Sequence, residues 1–431
     1  MSLSVIFINL NGDIMKKYDF IVAGGGLSGV AAAVCASREG LNVLLIEKNG
    51  CLGGSISNNL VYPFMPYWTL DPENGERKYL SSGIFEEMRE LEKKYNVTCG
   101  DFEYNPEYYK FILDELVVNA NVEVLFHASV FDVNTQDMFI KSIKVLTRSG
   151  VLTFEADFFC DATGNGDLFA LADCEYQLGR ESDGLCQPMT TCFRMGGVNI
   201  EQFKKDIPML QKKYKEYKQE GKITNPRENI LLNLGIANDI VHFNTTRIIR
   251  HNPIDAFELS RAEISARCQV YEMERFLKEN SVAFKDSIII SIANEIGIRE
   301  SRKLKGCYIL TEEDLKNTVD FEDSIALGNY DIDIHNPSGS GTSHYYFKQG
   351  EYYRIPYRAL LPKEYENLLV AGRCISATHQ AQASIRIMPI CACLGQAAGV
   401  AAATAFHSGK TAHTVDVKAV RAKLIESGAA L

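Results

Sequence analysis

The sequence has 431 residues, of which 46% are hydrophobic and 23% are charged, a balance typical of a globular chain with more than one domain. Its net charge of −10 argues against nucleic acid or an anionic membrane as the main partner. Its 12 cysteines include no C-x-x-C pair, which argues against a zinc or thioredoxin-like site, and we expect no metal centre.

The first predicted elements are two strands separated by a helix. Residues 18–23 form a short apolar run that predicts a buried strand, and residues 42–46 form a second one. Between them, residues 27–38 are rich in alanine and predict a helix. A strand, a helix and a second strand in this order form the unit on which many dinucleotides bind.

The turn between the first strand and the helix reads GGGLSG and matches the pattern G-x-G-x-x-G. Gly24 permits the tight turn, Gly26 lets the backbone approach a pyrophosphate, and Gly29 lets the helix pack closely on the sheet. The first N–H groups of the helix, around Leu27 and Ser28, have no partner within the helix and favour an anion. The turn therefore predicts a site for the phosphates of a dinucleotide.

An acid and a second glycine-rich loop follow the second strand. Glu47 ends that strand, where an acidic side chain accepts hydrogen bonds from the adenosine ribose, and Lys48 adjoins it. The loop at residues 51–59 reads CLGGSISNN, and its candidate contacts are Gly53, Gly54 and Ser55. These residues together predict a dinucleotide site and leave FAD and NAD both open.

The rest of the chain alternates between helices, strands and loops. The predicted elements are helices at 86–95 and 106–116, a strand pair at 122–133, a β-meander at 139–164, helices at 201–222 and 259–277, a loop at 336–344, and a final helix from Met388. Apolar residues recur at helical spacing in one of these helices and are predicted to be core: Ala262, Ala266, Val270, Met273 and Leu277.

The most apolar stretch, residues 388–406, is long enough to raise the question of a membrane span. Its glycine and alanine content, with Pro389 in the first turn, favours a buried helix instead. The N-terminal residues lack the cationic region and small-residue cleavage site of a secretion signal. We therefore expect no membrane partner, and a cytoplasmic protein with reduced thiols.

Three later segments, taken with the N-terminal fingerprint, resemble the FAD-dependent oxidoreductases. They are FFCDATGNGDLFALADC at 158–174, GIRESRKLKGCYILTEEDL at 297–315, and the stretch at 355–403. The flavin domain is similar to that of fumarate reductase flavoproteins and of the flavin-binding subunit of heterodisulfide reductases. The resemblance covers nearly all of residues 17–409 and implies FAD as the cofactor.

The resemblance also implies the fold. It indicates an α/β protein with a Rossmann-like FAD-binding domain of the glutathione-reductase type and an inserted α+β substrate or cap domain. Residues 15–175 and 352–431 are expected to form the two parts of the FAD-binding domain, and residues 176–351 the inserted domain.

Further FAD contacts are implied by the resemblance. Ala162, Thr163 and Gly164 end a strand and are expected to abut FAD. Gly372 and Arg373 close another strand beside the ribityl chain and pyrophosphate; many relatives carry an acid at the second position, so a contact from Arg373 to phosphate is expected instead. Two more implied contacts are the backbone of Val130 at adenine and the start of the final helix at Pro389, which faces the flavin ring.

These features predict an oxidoreductase in which FAD, bound non-covalently, exchanges a hydride or electrons with a small-molecule substrate. A second nicotinamide fingerprint is absent from the sequence, and the early glycine loop lacks the histidine to which some relatives tether FAD. Two alternatives stay open: a thiol- or quinone-linked reductase using Cys51 or Cys374, and a non-enzymatic module that binds a dinucleotide.

Two residues are the leading candidates for catalysis. His379 is expected in a loop beside the flavin, where it would donate a proton or bind a carboxylate, and Arg386 precedes the final helix, where it would stabilise an anionic flavin or substrate. Arg299, Glu300 and Arg302 are interpreted as a buried ion-pair network. Weaker candidates for the substrate site are Arg247 and His344.

Overall fold

A computed structural model describes residues 6–8, 14–97 and 100–431 of the chain. In chain order its strands are β1 (Ile6–Ile8), β2 (Ile14–Ala23), β3 (Val43–Ile46), β4 (Trp68–Leu70), β5 (Arg77–Tyr79), β6 (Glu123–Leu125), β7 (Ser129–Gln136), β8 (Phe139–Thr147), β9 (Gly150–Asp161), β10 (Tyr176–Leu178), β11 (Phe193–Gly196), β12 (Leu232–Asn233), β13 (Val241–Phe243), β14 (Ile288–Ile292), β15 (Arg302–Leu304), β16 (Ser324–Gly328), β17 (Ile332–His335), β18 (Thr342–Tyr345), β19 (Tyr353–Pro356) and β20 (Leu368–Val370). Its α-helices are α1 (Leu27–Arg38), α2 (Ile84–Lys94), α3 (Pro106–Asn119), α4 (Asp167–Leu171), α5 (Ile200–Gln219), α6 (Ala256–Asn280), α7 (Glu312–Lys316), α8 (His379–Ile385), α9 (Met388–Ser408) and α10 (Val417–Glu426). Short 3-10 helices span Val282–Phe284 and Tyr357–Leu360.

The main sheet has a parallel core in the order β6-β3-β2-β9-β20. The strands β7 and β8 continue from β9 as an antiparallel meander, and β1 pairs antiparallel with the start of β2. Because the core strands are parallel, their carboxyl ends meet at one edge of the sheet. The loops that begin after Ala23, Ile46, Asp161 and Val370 are therefore brought together, and these loops carry most of the predicted cofactor residues.

The helix that opens the fingerprint packs directly on the long C-terminal helix, α1 on α9. A Cβ at Gly395 would lie 2.0 Å from the carbonyl oxygen of Ser28, and one at Gly399 would lie 2.2 Å from that of Ala32. The two glycines are one helical turn apart, so α9 presents a glycine-lined face on which the backbone of α1 rests. The α9 helix is long and apolar enough to cross a membrane, yet 94% of its most apolar window is buried inside the protein.

A second hydrophobic core lies outside the parallel sheet. It joins the antiparallel sheet β12-β13-β11-β14 to the helices α5 and α6, using buried residues between Phe193 and Phe284. The predicted core stripe of α6 is confirmed, since each of its five members is no more than 1% exposed. Buried hydrophobic residues from Leu304 to Ile332 pack instead with the core of the main sheet. The expected domain boundaries at 176 and 351 stay a prediction.

One expected loop is in part a strand. Residues 336–344 were expected to lack regular structure, but Thr342–Tyr345 form β18 and pair antiparallel with β17. The glycines of this segment form the turn of the hairpin, with Gly341 at a φ of +95°. These residues form a strand because they pair with the edge of β17. That pairing cannot be read from the local sequence of the segment alone.

Candidate active site

A cleft of about 830 Å³ opens at the carboxyl ends of the parallel strands. One side is formed by the loops after β2, β3, β9 and β20, and the other by residues from Thr190 to His344. Most of the predicted cofactor residues line this cleft: Gly24, Gly26, Leu27, Ser28, Glu47, Lys48, Gly53, Gly54, Ser55, Ala162, Thr163, Gly164, Gly372 and Arg373.

Three predicted cofactor residues lie outside the lining of the cleft. Gly29 is buried against the preceding turn, where a Cβ would lie 1.8 Å from the carbonyl oxygen of Gly24, so its role is close packing. Val130 lies half-buried on β7. Pro389 is buried in the first turn of α9, while its neighbour Met388 lines the cleft.

The first glycine turn is held by the acid that follows β3. One carboxylate oxygen of Glu47 accepts a hydrogen bond from Gly25 N at 2.6 Å, and the other accepts one from Asn49 N at 2.8 Å. A carboxylate has about four acceptor positions, so Glu47 keeps capacity for ribose hydroxyl groups. The same contacts fix the turn that is to hold the phosphates.

Two helix N-termini open on the cleft without a capping side chain. The α1 helix begins after Gly26 and the α9 helix begins after Ile387, and neither preceding residue supplies a side-chain hydrogen bond. Both ends thus present unpaired N–H groups and a partial positive charge. A Cβ on Gly26 would meet no atom within 4 Å, so the turn leaves a cradle of open space beside the first end. This arrangement fits a pyrophosphate at α1 and an electron-rich ring edge at α9.

Arg373 lines the cleft, but its guanidinium is directed at the neighbouring loop. Its Nε donates to the carbonyl oxygen of Gly164 at 2.7 Å, and one terminal nitrogen donates to the side-chain oxygen of Asn165 at 2.6 Å. Arg373 therefore links the loops after β20 and β9. The expected contact with phosphate stays a prediction.

His379 does not occupy the expected loop. It is the first residue of α8, is 6% exposed, and lies outside the lining of the cleft. Its Nδ1 lies 2.8 Å from the carboxylate of Glu300, which Lys303 also contacts at 2.5 Å. Glu300 therefore belongs to a buried ion-pair cluster, but its partners are Lys303 and His379 and not the expected Arg299 and Arg302. Arg302 pairs instead with Asp167 at 2.9 Å. The expected loop is wrong because Thr378 caps a helix at this point in the chain, and the catalytic role of His379 stays a prediction.

Arg386 lies at the junction of α8 and α9 and lines the cleft. One of its terminal nitrogens is 3.7 Å from Asp333, a residue of the β17–β18 hairpin. Asp333 also accepts hydrogen bonds from the hydroxyl of Tyr330 at 2.9 Å and from Nε2 of His335 at 3.1 Å. Burial acts to raise the pKa of Asp333, but the hydrogen bond from His335 and the charge of Arg386 outweigh it and lower the pKa. The carboxylate is thus held ionised.

His335 is held in one protonation state. Its Nδ1 lies 3.2 Å from a terminal nitrogen of Arg247, which can only donate, so Nδ1 accepts and Nε2 carries the proton donated to Asp333. Burial and the charge of Arg299 lower the pKa of His335 to about 3. His335 is therefore neutral, with a fixed ring orientation.

His344 is the more accessible histidine of the cleft. Its Nδ1 contacts the carboxylate of Asp331, and its Nε2 lies 3.7 Å from Asp333. Its ring stacks on Tyr346 at 5.2 Å between centroids. About a third of the His344 side chain is exposed, so an ionisable ring faces the open cleft with both nitrogens near carboxylates.

Sequence reasoning missed several polar residues of the cleft. Arg227, Tyr330, Asp333 and His335 all line it, and none was selected from the sequence. The alternation of Asp331, Asp333 and His335 is a period-2 signal, since alternate residues of a strand share a face. No local pattern marks Arg227, which precedes β12 in a loop.

The two cysteines proposed as redox thiols lie outside the lining of the cleft. Cys374 is fully buried, and burial raises its pKa well above the ordinary value of a thiol. Burial also raises the pKa of Cys51, whose sulfur lies 3.5 Å from the side-chain oxygen of Asn58. Two other cysteines do line the cleft, Cys192 and Cys391, and burial raises their pKa values to about 11 and about 12. Thiols in these settings stay protonated near neutral pH.

Sequence comparison with curated proteins finds local similarity to flavoproteins. A stretch of 57 residues is 40% identical to glutathione reductase of Schizosaccharomyces pombe and covers 13% of this chain and 12% of that protein. A stretch of 90 residues is 32% identical to ferredoxin–NADP reductase of Mycoplasmoides gallisepticum and covers 21% and 26%. The chain thus spans about an eighth to a quarter of the length of these curated relatives.

Solved structures with similar folds have low sequence identity. A geranylgeranyl bacteriochlorophyll reductase-like protein of Thermoplasma acidophilum is 14% identical with a TM-score of 0.45, over 96% of this chain and 84% of that one. A triple mutant of a flavin-dependent brominase is 13% identical with a TM-score of 0.45, over 95% and 84%. Because both TM-scores are this low, neither similarity carries an inference about function.

The match to a protein family is broader. Residues 19–424 match the family described as FAD dependent oxidoreductase. This range includes the fingerprint turn, the loops after β3, β9 and β20, and the polar residues on the opposite side of the cleft. The protein therefore belongs to the FAD dependent oxidoreductase family, and FAD is its cofactor.

Proposed function

We propose that this enzyme binds FAD without a covalent link and uses it to exchange a hydride or two electrons with a small molecule bound in the same cleft. The observation that carries the proposal is that a single cleft is lined both by the loops that fit FAD and by the polar residues of the β17–β18 hairpin. A substrate held at the hairpin therefore lies next to the cofactor site, as a direct transfer requires.

The finer fold assignment is part of this proposal. A parallel core followed by the meander β7-β8-β9 supports the glutathione-reductase type of FAD-binding domain, with the region from 176 to 351 as an inserted substrate domain. The separate hydrophobic core between Phe193 and Phe284 supports the insertion. The cytoplasmic location and the absence of nucleic acid or membrane partners stay predictions.

FAD, when bound, supplies a two-electron acceptor or donor. The chain supplies position and charge around it. The uncapped start of α1 and Glu47 would hold the pyrophosphate and ribose, and the uncapped start of α9 would stabilise negative charge on the ring. Gly26 would let the backbone approach the pyrophosphate with no side chain between the two.

Proton transfer is assigned to His344. Tyr330 and His335 each donate to Asp333, so their protons are engaged in the wall of the cleft. His344 instead presents a partly exposed ring to the open cleft and contacts Asp331, which orients it. A histidine in this setting takes a proton from a substrate, or returns one, as the substrate is oxidised or reduced.

The thiol-linked alternative has less support, because Cys51 and Cys374 lie outside the lining and burial raises the pKa of each thiol. The replacements Cys51→Ser and Cys374→Ser should leave the rate of flavin reduction unchanged. If either variant retained FAD but lost flavin reduction, the result would favour the thiol mechanism over the one proposed.

The proposal is tested in two stages. Denaturation by heat or acid should release intact FAD, since no covalent link is expected. Anaerobic mixing of the FAD-loaded protein with a panel of carboxylic acids, alcohols, amines and sugars should then bleach the visible flavin band with at least one of them. With that compound, His344→Gln should slow bleaching by about 10²–10⁴-fold. The control His407→Gln lies at the far end of α9 and should keep the wild-type rate.

A further inference from the structure

Three arginines from separate segments line the substrate side of the cleft. Arg227 precedes β12, Arg299 precedes β15, and Arg386 joins α8 to α9. We call these three residues the cation wall. Arginine side chains inside proteins are normally paired with an acid, so the partners of this wall decide what the cleft can accept.

The cation wall has too few acidic partners within the protein. Among the residues that the structure describes, Asp333 is the only one with a carboxylate within 4.0 Å of any of the three guanidinium groups, at 3.7 Å from Arg386. That carboxylate is already shared with Tyr330 and His335. Within that distance the three guanidinium groups share one carboxylate, although Glu228 also lines the cleft and its charge acts on Arg227.

Several N–H groups of the wall are also without a partner. In the described part of the chain, one terminal nitrogen of Arg227 and Nε of Arg386 are buried and have no hydrogen-bond acceptor. The terminal nitrogen of Arg386 that lies 3.7 Å from Asp333 also makes no hydrogen bond. Arg227 is only 5% exposed. A buried donor left unpaired is costly, and a bound anion would supply the missing acceptors.

The three cations act on one another. Burial lowers the pKa of Arg299 to about 9, and the nearby charges of Arg386 and Arg227 contribute in the same direction. Burial also lowers the pKa of Arg227, with the charge of Arg247 adding to it. Repulsion of this kind is relieved when an anion binds among the cations.

Hydrogen bonds to groups other than acids hold Arg299 and the loop of Arg227 in place. One terminal nitrogen of Arg299 donates to the carbonyl oxygen of Pro188 at 2.7 Å and to the hydroxyl of Thr190 at 2.6 Å. The carbonyl oxygen of Arg227 accepts a hydrogen bond from Lys218 at 2.7 Å, which fixes the backbone of its loop. The remaining donors are thus pre-positioned, which reduces the cost of binding a ligand.

Resting on the proposed function, we infer that the cation wall binds the carboxylate groups of a small anionic substrate, with preference for a compound carrying two carboxylates. Guanidinium and carboxylate groups match as planar, bidentate partners. Three guanidinium groups offer donors for more than one carboxylate, which favours a compound that carries two. The pyrophosphate of FAD is a different anion, and its expected place is at the start of α1, where the glycine turn supplies its own N–H groups.

Binding is measured on the FAD-loaded protein through the shift that a ligand causes in the flavin absorbance spectrum, with calorimetry in parallel. The probes are succinate, its neutral analogue succinamide, acetate and inorganic phosphate. Succinate should bind saturably, and succinamide should bind about 10–100-fold more weakly because the charge-assisted hydrogen bonds are lost. Arg227→Gln and Arg299→Gln should each weaken succinate by a similar factor.

Two further variants test whether weaker succinate binding comes from loss of the site or from a general change in charge or folding. Arg227→Lys keeps the charge and should recover part of the affinity that Arg227→Gln loses. Arg275→Gln removes a largely exposed arginine of α6, paired at 3.7 Å with Glu279, and should bind succinate as the wild type does. If the glutamine variants do not fold, the comparison of succinate with succinamide on the wild type still decides the matter.

Three results would overturn the inference. One is equal binding of succinate and succinamide. Another is tighter binding of phosphate than of succinate. The third is loss of FAD from Arg227→Gln without any change in succinate affinity, which would assign the wall to the cofactor. The proposed function fails separately: the spectral shift needs no turnover, so succinate binding without bleaching by any compound would support the anion site and remove the redox role.

Discussion

His379 Nδ1 lies 2.8 Å from the carboxylate of Glu300, and both residues are buried behind the cleft. Lys303 contacts the same carboxylate at 2.5 Å and donates to the carbonyl oxygen of Gly179 at 2.8 Å. Glu300 also accepts a hydrogen bond from Gln187 N at 2.9 Å. The cluster thus ties α8 to β15 and to the segment that follows β10, and it supports the shape of the cleft from behind.

Removal of His379 should therefore affect stability before it affects chemistry. We expect His379→Ala to lower the free energy of unfolding by about 1–3 kcal/mol, because Glu300 loses a buried hydrogen-bond partner. Chemical denaturation measures this change. The rate of flavin reduction, measured well below the unfolding temperature, should stay within about threefold of wild type, since a general acid–base role would cost about 10²–10⁴-fold. A loss of that larger size, with stability intact, would restore the catalytic role predicted from the sequence.

The same cluster should contribute to acid sensitivity. Burial acts to raise the pKa of Glu300, but the hydrogen bond from His379 and the charge of Lys303 outweigh it, so the pKa is lowered overall. A carboxyl with a lowered folded-state pKa stabilises the fold above its unfolded pKa of about 4.3, and this contribution is lost as the pH falls through the folded value. Stability measured from pH 7 downwards should fall less steeply below about pH 4.3 in Glu300→Gln than in wild type. The surface variant Glu201→Gln should keep the wild-type slope, and an unchanged slope in Glu300→Gln would contradict the assignment.

Two glycine replacements should separate cofactor binding from folding. A Cβ on Gly26 meets no atom within 4 Å, so Gly26→Ala should lower the stability of the FAD-free protein by less than ~1 kcal/mol. It should nevertheless weaken FAD binding by about tenfold or more, or ~1.4 kcal/mol, because the methyl group occupies the cradle. Gly395→Ala should instead lower the stability of the FAD-free protein, by about 1–3 kcal/mol or more, with little direct effect on FAD binding. Its Cβ would lie 2.0 Å from Ser28 O, so the helices α1 and α9 would be overpacked. Fluorescence titration with FAD and denaturation of the FAD-free protein measure the two effects, and unchanged FAD affinity in Gly26→Ala would contradict the placement of the cofactor.

Direct reduction by NADH or NADPH should be slow and should not saturate. The sequence contains one dinucleotide fingerprint, and the later glycine pair, Gly339 and Gly341, belongs to the turn of the β17–β18 hairpin. Stopped-flow mixing under anaerobic conditions gives the dependence of the rate on nucleotide concentration. Tight, saturable reduction by either nucleotide would mean that the segment between β10 and β19 holds a nicotinamide site.

The cofactor side of the cleft was predictable because its signals are local. The residues Gly24, Gly54 and Gly164 follow the ends of buried strands, and parallel strands bring their carboxyl ends to one edge. Few folds other than a parallel sheet with a nucleotide site at this edge would place glycines directly after several buried strands. The predicted helix at 27–38 and the buried helix from Met388 were correct for the same reason, since composition and periodicity report burial directly.

The substrate side was not predictable in the same way. Arg227 and Arg299 are distant in sequence and meet only because separate segments fold against the cleft. His379 looked catalytic because it follows a flavin-side strand, but the helix that begins there buries it. Asp333 and His335 lie on a strand whose partner, β18, was expected to be a loop. Tertiary contacts decided each of these positions, and the period-2 alternation at Asp333 and His335 was the one local signal among them.

The most direct test of the central claim is an anaerobic titration of the FAD-loaded protein with small carboxylic acids, followed by the visible absorbance of the flavin. The account predicts that at least one mono- or dicarboxylic acid bleaches the band with saturation. It also predicts that Arg299→Gln raises the half-saturating concentration by about 10–100-fold while FAD stays bound. Failure of the protein to bind FAD, or retention of FAD without bleaching by any small molecule tested, would contradict the account.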